Sequence, residues 1–171
     1  GDTTASGDTL RLTMQRPYTL TANFTPALVA PAASIPDATM GAPYAHQFVA
    51  TGGTGAYLWQ LLTGALPRGV MLLTSGALSG TPEETGTFIA TGRVRSGSQT
   101  TEVPMVLRVV APAVSLQAVL AHLVGAGDQL TADEIRYFDI LGNGNRRLDV
   151  GDFAAWVEKT GVQPSAEIKA V

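Results

Sequence analysis

The sequence predicts a mostly β chain closed by a small α module: an antiparallel β-sandwich over 35–111, then three short helices over 112–162. Three observations carry this. Short runs with apolar residues at every second position recur through the first two thirds of the chain, the period of a half-buried strand. Turn signals separate them, and 19 Gly and 10 Pro in 171 residues supply the tight turns that short strands require. From residue 115 onward the apolar spacing changes to the three-and-four pattern of helices.

Residues 1–26 hold two alternating runs, Thr9-Leu10-Arg11-Leu12-Thr13-Met14 and Tyr18-Thr19-Leu20-Thr21-Ala22-Asn23-Phe24, read as a partial β segment. Two strands alone are marginal in water, so this segment is expected to pack on something else. Its opening, Gly1-Asp2-Thr3-Thr4, reads as the start of a processed chain or a fragment. Residues 27–34, Ala-Leu-Val-Ala-Pro-Ala-Ala-Ser, read as a linker. In 35–111 the expected strands are Tyr44–Ala50, Tyr57–Leu62, Thr87–Arg95 and Thr101–Val110, with turns at Gly52-Gly53, Pro67-Arg68-Gly69, Ser75-Gly76 and Ser96-Gly97. Trp59, in mid-strand, is the natural large core residue of a sandwich that lacks a disulfide.

In 112–162, Leu116, Val119, Leu120 and Leu123 share one face of a helix over Ser115–Val124, which Gly125 ends. Thr131 and Glu134 have the spacing of a capping box for a second helix with Ile135 and Phe138 turned inward. Asp149 caps a third, with Phe153, Trp156 and Val157 on its apolar face and Gly161 just past its end. Residues 163–171 form a tail.

The loop between the last two helices carries the strongest chemical signal. Asp139, Asn143, Asn145, Asp149 and Asp152 offer side-chain oxygens, the donors a hard cation such as calcium takes. Ile135 and Phe138 precede it as an entering helix would, and Leu148 stands four residues before Asp152. The span 139–152 is two residues longer than the twelve-residue standard, and Arg146 stands where a glycine normally permits the sharp turn. The first loop, Val124 to Glu134, reads as a degenerate partner: Gly125 and Gly127 occupy ligand places, while Leu130 repeats the Leu148 spacing, so that the two leucines are expected to meet in a short bridge.

Two longer stretches resemble known modules. Ile35-Pro36-Asp37-Ala38-Thr39-Met40-Gly41-Ala42-Pro43-Tyr44, Ala50-Thr51-Gly52-Gly53-Thr54-Gly55-Ala56-Tyr57-Leu58-Trp59, Gly64-Ala65-Leu66-Pro67-Arg68-Gly69-Val70-Met71-Leu72 and Ser75-Gly76-Ala77-Leu78-Ser79-Gly80-Thr81-Pro82, leading into Thr85-Gly86-Thr87-Phe88, resemble the Ig-like (cadherin-like) modules repeated in bacterial surface proteins. The resemblance implies an Ig-like sandwich. Arg93-Val94-Arg95-Ser96-Gly97 stands where that family usually has an Asp, which weakens any parallel with the interdomain calcium sites of cadherins. The C-terminal stretch resembles dockerin-type, EF-hand-like modules. That likeness implies one Ca2+ held by Asp139, Asn143, Asn145, Asp152 and the Arg147 carbonyl, with Asp149 direct or through water. The strands of 1–26 resemble the tail of bacterial β-grasp-like surface repeats.

Composition limits the function classes. Eleven basic against 14 acidic residues give a net charge of −3 with no basic stripe, so nucleic acid is not an expected partner. Cysteine is absent, which removes disulfides and Cys-ligated zinc. No apolar run is long enough to span a bilayer. His46 and His122 are isolated from any Ser or acid at a catalytic spacing, Glu83-Glu84 read as a solvated turn, and Asp133-Glu134 as a helix N-terminus. The glycine pairs join strand to strand and open no phosphate-binding helix. The expectation is therefore a non-catalytic structural and protein-interaction region of a secreted or cell-envelope bacterial protein, extracellular, on the cell surface or periplasmic, with a calcium-stabilised end. Phe153, Trp156 and Tyr137 are the candidate partner-facing aromatics. The alternatives are a carbohydrate-binding accessory module of a secreted hydrolase, for which Tyr44, Tyr57 and Trp59 are the available aromatics, and an accessory subunit of a larger envelope assembly in which 1–26 pairs with a neighbour by strand addition.

Overall fold

The computed structural model describes residues 3–6, 9–12, 24–32, 35–127 and 130–162. An N-terminal hairpin pairs β1 (Thr3–Ser6) with β2 (Thr9–Leu12), Thr3 opposite Leu12 and Ser6 opposite Thr9. The alternating run from Thr9 thus forms a strand over its first four residues, and its partner is Thr3–Ser6, which the sequence did not mark. Except for Phe24, the second expected strand, Tyr18–Phe24, lies outside the described residues, as do all of 163–171.

The middle of the chain is a two-sheet sandwich. One sheet has the order β3-β9-β8-β5, built from β3 (Ala38–Thr39), β9 (Gln99–Val110), β8 (Gly86–Ser96) and β5 (Leu58–Gly64). The other has the order β4-β7-β6, from β4 (Tyr44–Gln47), β7 (Ala77–Gly80) and β6 (Val70–Leu72). All pairings are antiparallel except β3 with β9, where Ala38 faces Val109. Alternation is strict in the long hairpin: Ala90, Val94 and Ser96 of β8 and Val103, Met105, Leu107 and Val109 of β9 all turn inward. Leu78, Val70 and Phe48 meet them from the facing side. Trp59 is buried as expected, opposite Val94 in the register and stacked on Phe48 at 5.4 Å between ring centroids. Pro104 sits inside β9 without breaking a ladder, because β3 pairs only with Val109 and Val110 and leaves that side of the strand open.

The stretch read as a linker belongs in part to this sandwich. Leu28 and Ala30 are buried while Val29 between them is exposed, so the segment alternates like an edge strand. Val29 and Thr51 exchange both main-chain bonds, at 2.9 and 2.8 Å. The Gln99 side chain accepts from Leu28 N at 2.7 Å, and Thr101 Oγ1 donates to the Leu28 carbonyl. The apolar pair Leu28/Ala30 gains burial by lying against the sandwich, which a free linker would forgo.

Among the described residues three helices follow. In α1 (Leu116–Leu123) the Ser115 side chain caps the first turn and Leu116 and Val119 are buried. Thr131 and Glu134 form the expected capping box of α2 (Ala132–Leu141), with Thr131 N donating to Glu134 Oε2 at 2.7 Å. Asp149 caps α3 (Val150–Thr160), and Gly161 ends it in the left-handed conformation at φ 68°. Phe138, fully buried, sits between Tyr137 and Trp156 at 5.4 and 5.3 Å. Leu130 and Leu148 both join the core cluster, but among the described residues no β-bridge links them, so the paired-loop bridge is not formed.

Module and sandwich meet at Gly41. Its carbonyl accepts from Arg136 Nη1 of α2 at 2.6 Å, its own N–H donates to the Pro82 carbonyl at 3.0 Å, and Arg136 is also held by Asp133 at 2.7 Å. Gly41 has φ 84°, and a Cβ on it would lie 2.8 Å from the Asp133 carbonyl oxygen and 2.9 Å from Tyr137 N. Only a glycine admits both the backbone angle and the close approach of α2.

Candidate functional site

The loop from α2 to α3 gathers every residue the sequence singled out, but gives them two different tasks. Asp139 lies in the last turn of α2, ahead of the loop, and its Oδ1 accepts from Arg146 N at 2.7 Å. Asp152 is completely buried at the start of α3; its Oδ1 accepts from Asn143 N and its Oδ2 from Asp149 N, both at 3.0 Å. These two carboxylates therefore hold main-chain N–H groups. Both acids are buried, and these bonds pair polar groups that would be costly to leave unpaired there.

The other three side chains form a surface cluster. Asp149 Oδ2 accepts from Asn143 Nδ2 at 3.0 Å and from Asn145 Nδ2 at 2.8 Å, while its Oδ1 accepts from Gly151 N at 2.7 Å. The amide oxygens are also engaged: Asn143 Oδ1 accepts from Asn145 N at 3.0 Å and Asn145 Oδ1 from Arg147 N at 2.8 Å. Bonds from Asn143, then Asn145, then Gly151 N hold the Asp149 carboxyl below its ordinary value, because each stabilises the charged form. Arg147 thus takes part through its N–H. Arg146, at the place where a glycine was expected, has φ 68°, and among the described residues it is the non-glycine with positive φ. A non-glycine residue in that region costs about 1–2 kcal/mol. The bond from Arg146 N to Asp139 offsets part of it.

As arranged, this donor set does not fit a calcium ion. Calcium takes six to eight oxygens around one point. Among the described residues no group of three acids or histidines comes together, and two amide NH2 groups converge on Asp149, where the cation's positive charge would stand.

Beside this loop, α2 and the β7–β8 connection enclose an open cleft of about 520 Å³, lined by Thr81, Glu83, Ile135, Arg136, Asp139 and Arg146 among others. No sequence signal marked it, since its walls come from segments far apart in the chain, Thr81 and Glu83 on one side and Ala132 to Arg146 on the other. The aromatic candidates are used elsewhere. Tyr137 and Trp156 are buried and Phe153 is packed against the core, so none of the three is the exposed partner-facing ring the sequence offered. Trp59 is interior, Tyr44 OH donates to the Pro36 carbonyl and Tyr57 OH to the Gly52 carbonyl, so these three make no exposed row for a sugar. Burial pushes the Tyr44 and Tyr137 hydroxyls above their usual values. His46 lies edge-on to Phe48 at 5.0 Å, inside the sandwich wall.

The outer face of the larger sheet carries a different feature. Ile89 and Val106 stand opposite each other in the β8/β9 register and are both exposed. Ion pairs flank them: Arg93 with Glu102 at 2.9 Å, and Arg108 with Asp37 at 3.3 Å.

No family model matches the chain and no curated protein matches it. Among solved structures it is similar over part of its length to a Bacteroides fragilis protein described as a candidate alpha-galactosidase, at 17% identity over 54% of this chain and 19% of that one, TM-score 0.44. It is similar to protocadherin gamma B2 extracellular cadherin domains 3–6, at 17% identity over 52% of this chain and 26% of that one, TM-score 0.37. A complex of titin M10 with an obscurin-like 1 Ig domain matches at 16% identity, 53% of this chain and all of that one, TM-score 0.36. The matched part thus spans about a fifth of the first of these proteins and a quarter of the second. The mostly β, two-sheet architecture with three helices stands on the strand pairings themselves.

Proposed function

We propose that this chain is a non-catalytic structural and protein-interaction region of a secreted or cell-envelope bacterial protein. The observation that carries the reading is the outer sheet face, where Ile89 and Val106 form an exposed apolar pair bordered by Arg93–Glu102 and Arg108–Asp37. An apolar centre inside a charged rim is the usual anatomy of a protein interface. The envelope location rests on the resemblance of 35–88 to bacterial surface modules. Docking of α2 on Gly41 supports the structural half of the reading, since it ties the helices to the sandwich.

The test is co-purification from envelope extract with the whole 171-residue chain, beside the variant carrying Ile89→Glu and Val106→Glu. A partner captured by the native chain and lost with the double variant, at unchanged melting temperature, supports the reading. Equal capture by both, or turnover of a panel of glycoside and ester substrates that survives purification, overturns it.

A further inference from the structure

We infer that the α2–α3 loop is closed by its own hydrogen bonds in the place of a cation, so that the helical module folds without calcium. A calcium loop leaves carboxylate and amide oxygens converging on a vacant centre, and the ion cancels their mutual repulsion. Here a single carboxylate, Asp149, faces the centre, and the Asn143 and Asn145 amides each turn an NH2 toward it at 3.0 and 2.8 Å. Two partial positive charges on N–H donors thereby do locally what the metal would do. Reversing both amides to present oxygen would set NH2 groups against Asn145 N and Arg147 N, which now donate to the amide oxygens. Each reversal would break two bonds and put donor against donor, so the present orientation is determined on both sides. The remaining carboxylates tie main-chain groups together. Asp152 bridges Asn143 N to Asp149 N across the loop, and Asp139 ties Arg146 N to the end of α2. Between them the two buried acids fix both ends of the loop, which in an ion-bound loop is the metal's task.

The experiment compares melting temperatures of the whole chain in excess EDTA and in millimolar CaCl2, with the native sequence and with Asn145→Asp. A calcium site filled a hundredfold above its dissociation constant would raise the melting temperature of a protein this size by about 5–10 °C. The native chain is expected to melt at the same temperature in both buffers, within about 1 °C. Asn145→Asp removes one N–H donor and sets a second carboxylate against Asp149; this variant is expected to melt several degrees lower in EDTA, and calcium is expected to restore part of the loss. A saturable rise of the native chain in calcium overturns the inference. An Asn145→Asp variant as stable as the native chain in EDTA overturns it as well, because the amide would then not be standing in for a cation.

Discussion

Replacing Gly41 by alanine tests whether the helices are seated on the sandwich. At φ 84° any L side chain is strained, at about 1–2 kcal/mol. The new Cβ would also lie 2.8 Å from the Asp133 carbonyl oxygen and 2.9 Å from Tyr137 N, both main-chain atoms of α2 that cannot swing aside. Overfilling a packed contact of this kind costs about 1–3 kcal/mol more. Gly55 is the matched control: its φ is 85°, and a Cβ there meets nothing within 4 Å. Gly55→Ala therefore reports backbone strain alone, about 1–2 kcal/mol, and Gly41→Ala strain plus displacement of α2, about 2–5 kcal/mol. Urea denaturation of the native chain and both variants, followed by Trp fluorescence, measures the gap. Trp59 reports the sandwich and Trp156 the helices, and a loosened docking should also move the Trp156 transition to lower urea than the Trp59 transition. Equal losses for the two alanine variants would refute the argument, since α2 would then not be pressed against residue 41.

Three further outcomes are expected. Asp152→Asn keeps the side chain's size but turns one acceptor into a donor facing Asn143 N or Asp149 N inside a fully buried site, and should lower stability by about 2–4 kcal/mol in chemical denaturation. Ser96→Ala removes the buried hydroxyl that accepts from Thr54 N at 2.9 Å and pairs with Thr54 Oγ1, at a cost of about 1–2 kcal/mol in the same assay. Asp149 has a folded-state pKa below its ordinary value, so its contribution is present above about pH 3.8 and is lost as pH falls through the depressed value. Carboxyl NMR titration should find that pKa raised toward 3.8 in the Asn143→Ala, Asn145→Ala double variant.

The strands were legible wherever one face is buried and the other wet. Gly86–Ser96 and Gln99–Val110 alternate because each strand lies with one side on the core, and the expected Thr87–Arg95 and Thr101–Val110 fall within them. Ala38–Thr39 and Val70–Leu72 are two and three residues long, shorter than any periodicity can show, and their pairing is decided by β9 and β7. Leu28 and Ala30 were hidden for a similar reason: prolines and alanines around them dilute an alternation that only the burial reveals. The helix ends were the most legible feature of all. Ser115, Thr131, Asp149 and Gly161 act through local chemistry, N–H groups within four residues, so sequence contains nearly everything needed to place them.

The loop is where local chemistry runs out. Asp and Asn side chains that ligate a cation and those that bond main-chain N–H groups are the same residues, chosen for the same oxygens, at the same turn positions. Spacing identified which side chains converge, and Asn143, Asn145 and Asp149 do meet. What spacing cannot carry is which atom of each amide faces inward, and that depends on whether neighbouring N–H groups have already claimed the oxygens. The two extra residues before the loop decide it here. They put Asp139 back into α2, where it reaches Arg146 N, and leave Leu141 at the first position of the twelve that end at Asp152. A leucine there brings no oxygen, so the centre lacks its leading carboxylate, and the amides turn their hydrogens toward the one acid that remains.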